Sequence, residues 1–259
     1  MAADLPRTFV ISLPEATERQ AYIREHLGAL GLPFEFFEAV DGRGFDVPNH
    51  PAYDATRRRR WFGRDLKPGE LGCFLSHRGI YEKMVRDDIP MAFIVEDDVI
   101  LQDTTFALLA DLQRVKTSFD IVRFLGTPKH HTARQKILEE LPTKPYTLNR
   151  LYGMPGGAYA YVITQGGARK MLSAMDRTAF PIDTLMGREW VHGARGLIVM
   201  PSPAYADMKT ASYIGEARFD KDELDVTGLA HAFYPLTRAV YKMREGIMKA
   251  WTYWLRLNR

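Results

Sequence analysis

Apolar and polar positions along this chain change period several times, and each change predicts an element. "TFVISL" (8–13) is β-branched and apolar, which predicts a first strand. In "EATERQAYIREHLGALG" the apolar Ile23, Leu27 and Leu30 recur at helical spacing, and the helix is expected to stop at Gly31. "PFEFFEAVDGRG" (33–44) predicts a second strand that turns at Asp41-Gly42. A strand, a helix and a strand joined by a crossover of ordinary length predict an α/β domain.

Residues 45–67, with Pro48, Pro51 and the run Arg57–Arg60, break this pattern and are expected to form a loop. Helical spacing resumes near Gly69 in "KPGELGCFLSHRGIYEKMVRDD", carried by Leu71, Phe74, Leu75 and Ile80. "PMAFIVEDDVIL" predicts a strand, "TTFALLADLQRVK" a helix capped by Thr104 or Thr105, and "FDIVRFLG" (119–126) another strand. The polar, proline-broken stretch 129–150 is expected to be an insertion or lid. A strand "GGAYAYVI" and a helix "TQGGARKMLSAM" capped by Thr164 follow, and "PIDTLM" and "GLIVMPSPAYAD" complete the core. The expected organisation is one α/β domain over residues 1–230 and a basic amphipathic helix over 231–259.

Composition narrows the class. A chain of 259 residues, 46% of them hydrophobic, has ample material for a core. Its one cysteine, Cys73, rules out an intrachain disulfide and points to a reducing compartment. No apolar run is long enough to span a bilayer, and the start lacks the basic and apolar regions of a signal peptide. The expected location is therefore cytoplasmic. The net charge of +3 is unevenly placed: residues 231–259 carry +5 and the preceding 230 residues carry −2. That describes a basic tail, not a nucleic-acid-binding protein. In the tail, Phe233, Leu236, Val240, Met243, Ile247, Trp251, Trp254 and Leu255 recur every three or four residues among cations. Such a helix suits an anionic membrane surface, peripheral on the inner face of the cytoplasmic membrane, or the protein's own core.

The chemistry concentrates in "FIVEDDVIL" (93–101), where Glu96, Asp97 and Asp98 stand side by side in an apolar run. Adjacent carboxylates repel and are costly to bury without a compensating charge. In a continuous strand Glu96 and Asp98 would share one face and Asp97 the other. Hard oxygen ligands suit Mg²⁺ or Mn²⁺, which take one or two carboxylates together with phosphate oxygens. A solvated strand end is the plainer alternative.

"ELGCFLSHRGIYEKM" followed by "AFIVEDDVIL" resembles glycosyltransferase family 25, whose bacterial members include lipopolysaccharide and lipooligosaccharide galactosyltransferases. The opening "FVISLPEATERQAYIREHLGALGLPFEFFEAVDGR" is similar to that family's first segment, and "DIVRFLG", "GGAYAYVIT", "GARKML", "PIDTLM" and "SYIG" (212–215) fall in matching order. "RRRRWFG" and 129–150 have no fixed counterpart, and Asp207 stands where relatives often carry glutamine.

The resemblance implies a GT-A-like fold, a Rossmann-type mixed sheet flanked by helices, with a C-terminal helical extension. It implies inversion at the anomeric carbon, a UDP-hexose donor (UDP-galactose in the best-known bacterial members) and a lipid-linked saccharide acceptor. Ligands of open α/β sheets lie beyond the carboxyl ends of the strands, which agrees. Asp98 is then the expected metal ligand with Glu96 as partner, and Asp97 the contact to ribose or uracil. Ser12, Leu13, Arg19, Ser76, His77 and Arg123 are expected to meet the nucleotide-sugar. Single-displacement inversion needs a base for the acceptor hydroxyl. Asp183, after a proline-fixed turn and in the position of the family's aspartate, is the expected base, with Glu189 and His192 as rivals. Two other classes stay open: a metal-dependent nucleotidyltransferase or phosphohydrolase, against which no G-x-x-x-x-G-K-[ST] loop is found, and a non-catalytic sugar-nucleotide-binding protein.

Overall fold

The computed structural model describes residues 5–124, 134–206 and 224–257. Strand β1 (Arg7–Ser12) leads through α1 (Thr17–Ala29) to β2 (Glu35–Glu38), as the opening pattern predicts. The chain leaves α1 through Gly31, whose φ of +65° is one that favours glycine. Then come α2 (Ala55–Phe62), α3 (Pro68–Arg86), β3 (Met91–Glu96), β4 (Val99–Leu101) and α4 (Thr105–Leu112). Strands β5 (Ile121–Arg123), β6 (Gln135–Glu140), β7 (Thr147–Leu151) and β8 (Ala160–Thr164) precede α5 (Gln165–Leu172). The chain continues through α6 (Ile182–Met186), α7 (Glu189–His192), β9 (Gly196–Met200), β10 (Ala204–Ala206) and the long α8 (Gly228–Leu257).

Eight strands form one mixed sheet in the order β2-β1-β3-β8-β5-β9-β7-β6. β8 and β7 run against the other six. Alternation sorts its side chains into two layers. Phe9, Ile11, Ala92, Ile94, Tyr161 and Ile163 pack with α3 and α5 on one face. Val10, Phe93, Val95, Ala160 and Val162 pack with α1 and α4 on the other. With apolar side chains buried on both faces, the sheet is the middle of a three-layer α/β/α sandwich. This is the GT-A-like arrangement expected.

Two expectations fail. Residues 45–67 are not a loop: the arginine run forms α2. Asp54 caps it by accepting from Arg57 N at 3.0 Å. Arg57 lies over the Trp61 ring at 4.5 Å, Arg58 over Phe62 at 4.2 Å, and Arg59 pairs with Asp65, so the like charges are drawn onto separate partners. Nor is 134–150 a lid. It is the hairpin β6–β7, whose inner strand pairs with β9 while the polar β6 forms the sheet edge. An edge strand covered on one side needs few apolar residues, which is why it reads as a loop. Residues 129–133 of that stretch lie outside the described residues, as do Asp207 and "SYIG" (212–215).

Candidate active site

β1, β2 and β3 are parallel, so their carboxyl ends gather at one edge of the sheet. There lies a pocket of about 130 Å³ whose walls include Ser12, Leu13, Arg19, Ser76 and all three acids of the knot. That volume is smaller than whole ligand sites, which run to several hundred Å³.

The acids divide by face. β3 ends at Glu96, so Asp97 and Asp98 both lie in the turn that follows it, and the expected pairing of Glu96 with Asp98 along a continuous strand face is corrected. Glu96 turns toward α3, where its Oε1 lies 3.7 Å from Cys73 Sγ and 3.5 Å from His77 Nε2. Asp97 turns toward α1: Ser12 Oγ donates to its Oδ2 at 2.6 Å and Arg19 Nη1 to its Oδ1 at 3.1 Å. Asp98 sits in the turn between β3 and β4, with Oδ2 3.9 Å from Arg19 Nη1. Its Oδ1 is buried and accepts no hydrogen bond. Burial first and the neighbouring Glu96 second push the Asp98 carboxyl up to about 7, against the pull of Arg19. One guanidinium shared by two aspartates does not neutralise this edge, so Asp98 and Glu96 are the acids that could hold a divalent cation there.

The remaining wall was missed in the sequence. Asp41, Gly42 and Arg43 line the pocket from the turn after β2. That turn presses on α3: a Cβ on Gly42 would fall 2.0 Å from Pro68 O, and one on Gly72 2.6 Å from Val40 O. Ser76 joins the two, accepting from Val40 N at 2.8 Å and donating to Gly72 O at 2.8 Å. Arg43 is exposed and is held by Asp41 and Glu15. The available signal was the D-G-R turn at the carboxyl end of a parallel strand. Cys73 also lines the pocket, and burial with Glu96 pushes its thiol up, away from the thiolate a nucleophile needs.

Three expected contacts are corrected. His77 is 0% exposed and cannot touch a nucleotide-sugar. Its Nδ1 meets Tyr161 Oη at 2.7 Å, which in turn meets Tyr81 Oη at 2.8 Å, so His77 is held in the core behind Glu96. Arg123 is likewise buried, and its guanidinium donates to Pro155 O at 2.8 Å and to Gly157 O. It clamps a loop instead of binding phosphate. Burial pushes Arg123 down, and the nearby Asp183 opposes that shift. Ser12, on the pocket wall with Leu13 and Arg19, is largely buried and spends its hydroxyl on Asp97.

Asp183, in the first turn of α6, is 9% exposed. Gly157 N donates to its Oδ2 at 2.9 Å and Thr184 N to its Oδ1. Its charge is felt at both Arg123 and Cys73, although Asp183 is not among the residues that wall the pocket. Both rivals serve the scaffold. Glu189 pairs with buried Arg150 and accepts from Gly196 N at 3.1 Å. His192 joins Leu185 O at 3.2 Å and accepts from Ala194 N at 3.0 Å.

A sheet whose carboxyl edge carries an unneutralised acid cluster matches a known family model. Residues 5–186 match "Glycosyltransferase family 25 (LPS biosynthesis protein)", and the chain belongs to that family. It is 30% identical over 182 residues to a glycosyltransferase 25 family member of Anopheles gambiae, covering 65% of this chain and 28% of that one. It is 29% identical over 179 residues to the lipooligosaccharide biosynthesis protein lic2B of Haemophilus influenzae, covering 64% of this chain and 62% of that one. A third relative, the inactive glycosyltransferase 25 family member 3 of Homo sapiens, is 28% identical over 191 residues, covering 69% of this chain and 30% of that one. The chain thus spans less than a third of the insect and human relatives.

Proposed function

We propose that this protein is a metal-dependent, inverting glycosyltransferase that moves a hexose, galactose, from UDP to a lipid-linked saccharide of the lipopolysaccharide class. The observation that carries the reading is the Asp98 carboxylate, buried beside Glu96 with an oxygen that accepts nothing. Asp98 and Glu96 would hold Mn²⁺ or Mg²⁺, which supplies positive charge to a departing diphosphate. Asp97, tied to Ser12 and Arg19, keeps the turn in place, and Leu13 with the Asp41–Arg43 turn walls the nucleotide side. Asp183 takes the proton of the acceptor hydroxyl, held in position by the Gly157 and Thr184 amides. Galactose and UDP rest on the family resemblance, and the acceptor class on the company of lic2B.

Calorimetry of UDP binding with Mn²⁺ tests the metal half. Asp98→Asn removes a charge and a hard ligand and should abolish the Mn²⁺-dependent part of binding without unfolding the protein. Unchanged affinity would overturn the assignment. A panel of nucleotide-sugars scored for UDP release tests donor and catalysis. Tight UDP binding with no release from any donor would place the chain with the relative named inactive, as a sugar-nucleotide-binding protein.

A further inference from the structure

α8 is docked along one side only. Tyr241 stacks on Trp61 with ring centroids 5.0 Å apart and accepts from Arg188 Nη2 at 2.7 Å. Arg188 also pairs with Glu245 at 2.6 Å, and Thr237 and Arg238 donate to the carbonyls of Arg60 and Trp61 at 2.9 Å each. The opposite side is apolar and bare. Leu229, Phe233, Leu236, Val240, Met243 and Ile247 follow one another every three or four residues, and Trp251 and Trp254 continue the line. All eight are between 50% and 79% exposed. At 1.5 Å per residue the stripe runs about 38 Å. Among the described residues no helix is long and apolar enough to cross a membrane, so the stripe is not a span.

The C-terminal end of the stripe adds a second observation. Trp251 and Leu255 also wall a groove of about 450 Å³ whose other side brings Lys170, Arg195, Ser118, Trp190 and Asp120, the last holding Lys170 at 2.7 Å. An apolar wall facing two cations and one acid keeps a positive surplus, which is the complement of an amphiphile with an anionic head.

We propose that α8 lies in the interface of an anionic phospholipid bilayer along this stripe, and that the groove at its C-terminal end takes a phospholipid headgroup. Burying large apolar side chains of a surface helix in the acyl boundary, with tryptophans at headgroup depth, is how interfacial helices bind. Charge favours lipid over a second copy of this chain. The segment 231–259 carries six cations against Glu245 alone, and Arg188 already holds Glu245. A pair of α8 helices would bring like charges together, whereas an anionic surface offsets them at about 1 kcal/mol per cation. The inference stands on α8 and its groove and does not need the glycosyltransferase reading.

Sedimentation of the full chain with vesicles, with no donor or acceptor present, tests it. Vesicles of phosphatidylcholine with phosphatidylglycerol should retain the protein, with binding weakened by salt, and phosphatidylcholine alone should retain far less. Leu236→Glu with Ile247→Glu, two exposed positions, should weaken binding more than about tenfold while thermal unfolding stays unchanged. Lys170→Gln should lower the preference for anionic vesicles about fivefold, and an unchanged preference overturns the headgroup assignment. Equal binding to both vesicle types, or no binding to either, overturns the proposal. So does a dimer in solution that the double variant converts to monomer.

Discussion

Glu189 and Asp98 are both largely buried acids, a few strands apart in one fold, and their surroundings differ in kind. Glu189 has Arg150, itself buried, and the Gly196 amide. A buried cation and an amide, both on Oε1, answer its charge from within the chain. Asp98 shares one arginine with Asp97, faces Glu96, and has an oxygen that meets no donor. Burial of a carboxylate therefore does not by itself mark a site. The mark is burial that the protein leaves uncompensated, because a cost of several kcal/mol persists only where something outside the chain offsets it. Asp183 stands between the two cases: two amides hold it, yet its charge is felt at Cys73, which lines the acidic pocket.

The comparison can be broken first at Asp183. Asp183→Asn keeps the shape but cannot accept a proton, so turnover at saturating donor should fall about 10²–10⁴-fold with donor affinity retained. Near-normal turnover in steady-state kinetics would class Asp183 with Glu189 as an acid of the scaffold. The second test is Arg150→Ala. Removing one partner of a buried pair should cost about 3–5 kcal/mol in urea unfolding, while UDP binding in the folded fraction is unchanged. A loss below about 1 kcal/mol would mean that the pair is not what answers Glu189.

The smallest effect sharpens the comparison through pH. Asp98 has a folded-state value near 7 against an ordinary 3.8, so the metal-free folded state holds this proton longer than the unfolded chain does. Stability is then fully present below the ordinary value, drains away as pH rises toward 7, and is level above that. Urea midpoints in chelator should show the wild type losing ground to Asp98→Asn across this interval. A constant difference at all pH values would remove the special status of Asp98.

Much of this was readable from the chain. "TFVISL" and "AFIVE" alternate so regularly that each residue's layer follows from its parity, and the pocket walls at Ser12, Leu13, Glu96 and Asp97 follow from where those strands stop. Asp98 was legible as a pocket residue but not its geometry, because the alternation that would pair it with Glu96 ends at Glu96 itself. The burial of His77 and Arg123 was not legible. Polar residue types suggest contact with ligand, and only the tertiary structure shows Tyr161 and the carbonyls of Pro155 and Gly157 taking their polar atoms. α2 was hidden for a similar reason: four consecutive arginines read as solvated until Trp61, Phe62 and Asp65 supply partners that lie along the helix or just beyond it.

The reversed course of β8 carries a last consequence. Because β8 runs against both β3 and β5, the edge that collects the ends of β1, β3 and β5 also collects the beginning of β8. The loop that feeds β8, pinned at Pro155 and Gly157 by Arg123 and Asp183, therefore reaches this edge independently of the turns that wall the pocket. The edge has two heritable halves. One comes from the opening of the chain and the acid knot, the other from a stretch of a few residues with its own anchors. Exchange of the unpinned residues in that stretch alters what the second half recognises and leaves the first untouched. A lineage built on this sheet can change that stretch by short replacements, without rebuilding the half that carries the acid knot.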